Sequence, residues 1–280
     1  MLIAGFSGWN DAAEAASVAL TTLGESWQAK RFGGFSPEEF YDFQATRPQI
    51  RFAEGTSRRI EWPENDLSAA LGDGTGNGRG AVVLSGPEPN FRWHTFSEAL
   101  VELARELGVE MVVTLGALLA DVPHSRPVTV TALSQDPAMT ESLGFAASSY
   151  EGPSGITGVV HSYCAQAGLP AASLWASVPH YLPSVPSAPA ALALLGGVSE
   201  LLGTQVDTSH LEKTATDYQE QVAAAVSQDS DLASYVQMLE ERHDSQEDGE
   251  NTGDLPSGDE LAQELEGFLK DQREDPPDRY

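Results

Sequence analysis

Short apolar runs alternate with helical stripes through the first three quarters of the chain. Leu2–Phe6 (LIAGF) is an unbroken run of strand length. Ala12, Ala15, Ala16, Ala19, Leu20 and Leu23 follow in steps of three and one, which is one face of a helix. Asn10 or Asp11 is placed to cap that helix and Gly24 to end it. Ala81–Leu84 is a second buried strand, and Phe96, Leu100, Leu103 and Leu107 mark a helix face that stops at Gly108. Met111–Leu115, Val128–Leu133 and Ala172–Ala176 read as further strands. Val160, Cys164 and Ala167 lie on a helix ended by Gly168 and Pro170, and Pro189 opens another that carries Leu194, Leu195, Val198, Leu201 and Leu202 before Gly203. Continuous apolar strands separated by amphipathic helices predict an α/β fold: a three-layer αβα sandwich with a mainly parallel central sheet.

Two regions depart from that rhythm. Within Phe32–Trp62, EFYDFQATRPQIRF and SRRIEW read as an antiparallel pair or β excursion, and FGGFSPEEFYDF (Phe32–Phe43) crowds aromatics and does not fit the central-sheet pattern. Exposed aromatics at that density predict a partner surface, hence a homo-oligomer. Beyond Thr208 the chain turns helical, with Leu211, Ala215, Tyr218, Val222 and Val226 on one stripe and Leu232, Tyr235, Val236 and Leu239 on the next. A polar linker, His243–Asp259, precedes a last short helix carrying Leu261, Leu265, Phe268 and Leu269, with Ser257 and Glu260 at capping-box spacing. The expected division is an α/β domain over 1–207 and a helical carboxy-terminal appendage over 208–280, with a flexible acidic loop near 244–257.

Composition narrows the function. The chain has 42 acids against 15 bases, a net charge of −27, and −11 of it lies from Glu240 onward. Such a field repels phosphate backbones and anionic lipid, which argues against nucleic-acid and membrane partners. No apolar run is long enough to span a bilayer, and Asp11 and Glu14 interrupt the place where a signal peptide would be apolar, so the expected location is the cytoplasm. Cys164 is the only cysteine, which excludes an intrachain disulfide and a cysteine-rich metal site. The six histidines never fall at metal-binding helical spacing, and neither metal nor cofactor is expected.

Polar side chains concentrate in loops that would leave the carboxyl ends of the strands, where open α/β sheets bind ligands. GFSGWNDA, SGPEPNFRW, GALLADVPHSRP, SYEGPSGITG and ASVPHYLPS together supply Asn10, Asp11, Glu88, Asn90, Arg92, His124, Arg126, Glu151, Ser154 and His180. These ten form a candidate ligand pocket, with Glu88, His124 and Arg126 at its centre. Arg126 can grip an anion with its planar fork, and His124 is suited to acid–base work or recognition. Each has a structural alternative: a helix cap for Asp11, an ion pair with Asp121 or Glu151 for Arg126, satisfied ring nitrogens for His124 and His180. Trp9 and Trp93 read as packing, and Cys164 as core. EGPSGITG presents backbone amides at a helix start, a generic anion cradle. GDGTGNGRG (Gly72–Gly80) is a flexible glycine-rich loop lacking the Gly-Lys-Ser/Thr ending of a phosphate loop, and GFSGWN is not a dinucleotide fingerprint. No G-x-S-x-G elbow is present.

At those loops the sequence resembles a known family. GWNDAAEAAS, LSGPEPNFRW, LGALLADVPHSRP, EGPSGITGVVH, SLWASVPHYLPSVPSAPAALALL and LPSGDELAQELEGFL look like the actinobacterial-type bacterial branch of the proteasome assembly chaperone 2 family. The resemblance implies a phosphorylase/hydrolase-like αβα fold and a non-enzymatic assembly or scaffold role. It transfers no catalytic residues. Some such chaperones dock through a carboxy-terminal hydrophobic-Tyr-X motif, whereas this chain ends EDPPDRY with Tyr280 last. The competing reading is a phosphorylase/hydrolase-type enzyme, or a sensor, for a small anionic or nucleoside-like ligand. Arg, Glu and His side chains of the kind phosphorylases use are present, but no phosphorylase motif is.

Overall fold

Leu2, Ala4 and Phe6 face one side of the first strand and Ile3 the other, and all four are buried. A strand apolar on both faces must lie inside a sheet covered on both sides. That is the architecture of the structure, a computed structural model that describes residues 1–52, 58–72, 74–136, 145–147 and 150–247. Its strands are β1 (Leu2–Ser7), β2 (Lys30–Phe35), β3 (Gln49–Phe52), β4 (Arg58–Glu61), β5 (Asn65–Ala70), β6 (Ala81–Pro87), β7 (Val112–Ala120), β8 (Val130–Ser134), β9 (Ala146–Ala147) and β10 (Ala171–Pro179). Eight of them form one sheet in the order β2-β5-β6-β1-β7-β10-β8-β9. The central four, β6, β1, β7 and β10, run parallel, while β5 and β8 pair antiparallel on either flank.

Helices close both faces. On one, α1 (Ala15–Ser26) and α5 (Ala188–Leu202) set Ala16, Leu20, Leu194 and Val198 against Ile3, Val83 and Val113. On the other, α3 (Trp93–Glu106) and α4 (Ile156–Gln166) set Phe96, Leu100, Val160 and Cys164 against Leu2, Phe6 and Val112. Burial of Cys164 pushes its thiol up to about 11, which keeps it protonated and inert. The short α2 (Pro37–Phe40) lies between β2 and β3, while α6 (Ser209–Val226) and α7 (Ser230–Glu247) follow α5. Leu211 and Ala215 of α6 belong to the same core as α1 and α5. The expected linker His243–Asp259, with its flexible loop near 244–257, starts too early: α7 stays helical to Glu247. The rest of that segment and the helix at 261–269 lie outside the described residues.

Three local expectations are corrected. Lys30–Phe35 is not outside the central sheet; it is the edge strand, paired with β5. The aromatics after it are largely internal: Phe35 and Phe40 pack on Phe96 with ring centroids 4.4 and 5.3 Å away. The antiparallel pair expected between EFYDFQATRPQIRF and SRRIEW is present as β3–β4, a separate two-stranded sheet. Gly24 does not end α1, which runs on to Ser26. Finally, the glycine-rich loop is pinned: buried Thr75 bonds the carbonyls of Gly72 and Arg79, and the amide of Asn77 donates to Leu202 O at 3.0 Å.

Candidate functional site

Because β1, β6, β7 and β10 are parallel, the loops that leave them gather on one edge. Asn10 and Asp11 follow β1, Glu88, Asn90 and Arg92 follow β6, His124 and Arg126 follow β7, and His180 follows β10. Glu151 and Ser154 precede α4 and are exposed. The topology thus brings the candidate loops together, and the side chains then take individual partners.

Asp11 is a buried cap. Its Oδ1 accepts the Ala16 amide at 2.7 Å, and Oδ2 accepts the Ser17 amide at 3.2 Å and the Ser17 hydroxyl. Burial raises its pKa, and those hydrogen bonds pull the other way. The cap also holds an unusual turn. Ala13 and Glu14 take φ of 49° and 53°, left-handed values that cost a non-glycine residue about 1 kcal/mol or more each. Ser187 N bonds Ala13 O at 2.8 Å and fixes that turn against the start of α5.

Glu88 joins two loops. Its Oε1 accepts Nδ2 of buried Asn10 and the amide of Ile156, both at 2.8 Å. The start of α4, expected from the sequence as a cradle for an external anion, therefore already holds the carboxylate of Glu88. Asn10 Oδ1 has no hydrogen-bond partner among the described residues. Gly155 is required beside it, because a Cβ there would fall 2.2–2.6 Å from the Asn10 amide group.

A second group is built around Tyr181. Its hydroxyl oxygen accepts the His124 amide and meets His124 Nδ1, each at 2.9 Å. Burial lowers the His124 pKa, with Glu240 opposing, and lifts the Tyr181 phenol to about 12. His180 Nδ1 lies 3.1 Å from Asp121, and its ring stands edge-on to Tyr181 and Tyr235. Arg126 meets neither Asp121 nor Glu151 as its main partner. Its Nε and one terminal nitrogen each reach an oxygen of Asp244 at 2.7 Å, with Glu240 at 3.5 Å. The fork that would grip an external anion is gripped by α7.

The remaining candidates serve the surface. Asn90 Oδ1 accepts from the Asp42 amide and the Thr46 hydroxyl, and Arg92 pairs with Glu39 at 2.7 Å. Trp93 packs beside α3, as its sequence position suggests, but Trp9 is 64% exposed instead of packed. The hollow beside His124 and Arg126 holds only about 20 Å³, too little for a metabolite. A groove of about 510 Å³ runs from Arg126 to Pro189 and Glu212, and another of about 640 Å³ lies between α1 and the start of α6 near Glu14, Glu25 and His210. Tyr181 follows directly on a candidate histidine, so it was within reach of sequence reading. Asp244 stands 118 residues from Arg126, and no local signal links the two.

Among the described residues, no three His, Cys, Asp or Glu side chains converge to hold a metal, and no helix is long and apolar enough to cross a membrane. A model of the PAC2 family matches residues 5–226. A solved proteasome-assembly chaperone homologue from Mycobacterium tuberculosis is 40% identical, with a TM-score of 0.77, over 84% of this chain and 99% of its own. A PAC2 family protein from Streptomyces avermitilis is 39% identical, with a TM-score of 0.76, over 84% and 98%. PbaA of Pyrococcus furiosus, an archaeal homologue of proteasome-assembly chaperones, shares the fold at 17% identity and a TM-score of 0.58, over 87% of this chain and 94% of its own. No curated protein matches the chain.

Proposed function

The chain belongs to the PAC2 family, and from that premise we propose that it is a cytoplasmic, non-enzymatic assembly or scaffold protein that works as a homo-oligomer on protein partners. One observation carries the reading. The polar groups at the ligand edge that could do chemistry are engaged within the chain: Asp11 with the start of α1, Glu88 with Asn10 and the start of α4, His180 with Asp121, and Arg126 with Asp244. An acid–base or anion site needs such groups facing a hollow; the hollow that His124 and Arg126 share is about 20 Å³, and at the larger groove that Arg126 borders its fork is held by Asp244. Protein surface is what remains: Ile50, Phe52, Ile60 and Trp62 lie exposed on and beside the β3–β4 hairpin. Likeness to a proteasome-assembly chaperone homologue supports proteasome subunits as the partner class.

The test is to mix the purified chain with separately purified proteasome subunits of its own organism and follow ring formation by native electrophoresis. Faster ring formation, retained by His124→Ala, is the expected result. Ring formation at an unchanged rate would refute the assembly role. Phosphorolysis of nucleosides that disappears in His124→Ala would instead establish the enzyme reading.

A further inference from the structure

The helix α7 lies beyond residue 226, where the family model ends at the last residue of α6. It is seated on the two proline-marked loops that leave β7 and β10. The contact reads α7 at five positions of one broad helical face. Tyr235 stands edge-on to His180 and Tyr181, with ring centroids 5.5 and 6.4 Å away. Val236 and Leu239 are buried, Val236 in a small cluster with Tyr218, Val222, Tyr181 and Leu182. Glu240 accepts from the Ser125 hydroxyl, and Asp244 occupies the Arg126 fork. This is a recognition surface with assigned subsites: an aromatic edge, two apolar seats, a hydroxyl donor and a bidentate cation.

We propose that this surface is a docking site for an acidic amphipathic helix of a partner protein, and that α7 is its internal competitor. The pattern it selects is aromatic–aliphatic, aliphatic–acid one turn on, and a second acid one turn further. The partner's chemistry follows from charge and from the helix already seated there. Arg126 is a base in a chain of net charge −27, and Glu240 and Asp244 of α7 bring carboxylates to it. The seat of α7 is shallow, since most of its residues from Ser230 to Asp244 are exposed or half-buried. Its start carries its own cap, since Asp229 Oδ1 accepts the amides of Asp231 and Leu232 at 3.0 and 3.1 Å, and Leu232 and Ala233 add to the cluster around Val236. The three-residue turn Ser227–Asp229 therefore serves as a hinge about which a capped helix can leave. The inference rests on the assembly reading for the kind of partner, but its test does not.

The probe is a labelled peptide of this chain's own residues 230–247, added to the full chain. In the wild type, tethered α7 holds the site at high effective concentration and the peptide binds weakly. In full chain carrying Leu239→Asp and Asp244→Lys, α7 leaves, and the peptide should bind at least ten-fold more tightly by fluorescence anisotropy. Adding Arg126→Ala to that variant should abolish the gain. Hydrogen exchange keeps the outcome decidable: in Arg126→Ala alone, amides of α7 should exchange about ten-fold faster while those of β1 and β7 stay protected. Equal peptide affinity for wild type and opened chain would overturn the proposal, as would an opened, folded chain that ignores the peptide or an α7 that stays protected. A dimer that forms by exchanging α7 between copies would overturn it too, assigning the helix to self-assembly. Failure of the chain to speed ring formation would leave these results intact.

Discussion

At the residue scale, Asp11 and Glu88 act on the backbone, accepting amides at the starts of α1 and α4. Replacing Asp11 by Ala removes the acceptors of the Ala16 and Ser17 amides and should cost about 1–2 kcal/mol in urea unfolding. Asp11→Asn should cost less. Its amide oxygen still accepts, and the desolvation that raises the Asp11 pKa no longer opposes folding at neutral pH. His161 gives a pH dependence with a definite sign. Burial lowers its pKa from 6.5, so below that value the unfolded chain binds the proton and the folded one resists it. Stability present above pH 6.5 should be lost as pH falls toward the folded value, and His161→Leu should lose less between pH 7 and 5 when both are titrated by urea. Such roles were partly legible. Asp11 stands where a cap belongs, ahead of an apolar stripe. Glu88 gave no comparable sign, because the amide it binds is 68 residues away.

At the scale of elements, strands with apolar runs were legible and strands defined by their neighbours were not. β1, β6, β7 and β10 announce themselves by continuous apolar residues. NDLSAA, which forms β5, opens with two residues that strands disfavour. Its Asn65 is nevertheless fully buried, with the side-chain amide donating to the Tyr41 hydroxyl and to Pro87 O. Two glycines separate propensity from packing in a testable way. Gly24 lies inside α1 with nothing within 4 Å of an added Cβ, so Gly24→Ala should stabilise the protein by about 0.5–1 kcal/mol in thermal or urea unfolding. Gly116 pairs across strands with Trp175, and a Cβ there would fall 2.6 Å from its ring. Gly116→Ala should destabilise by about 1–3 kcal/mol and shift the tryptophan fluorescence, since the ring must tilt away from its bond to Ser173 Oγ.

At the scale of the whole molecule, the β3–β4 hairpin is the part whose stability the chain itself explains least. A two-stranded ribbon is marginal in water unless a face of it is covered. Here Ile50 lies opposite Ile60, and Phe52 opposite Arg58, and the three apolar residues are 61%, 53% and 75% exposed. Phe43 packs on Trp62 at 4.8 Å and secures only the base. The ion pairs of Arg51 and Arg59 with Glu61 are exposed and add little. Charge then suggests what covers the ribbon. Arg47, Arg51, Arg58 and Arg59 place four of the 15 bases within thirteen residues of a chain whose net charge is −27. A second copy would present mainly acidic surface to this basic, apolar ribbon, and such a contact would relieve the repulsion between two acidic copies. Sedimentation velocity at micromolar concentration should show an oligomer. Phe52→Ser with Ile60→Lys should shift it to the monomer without lowering the unfolding temperature of the α/β body. A wild-type chain that sediments as a monomer throughout that range would remove self-association from the hairpin.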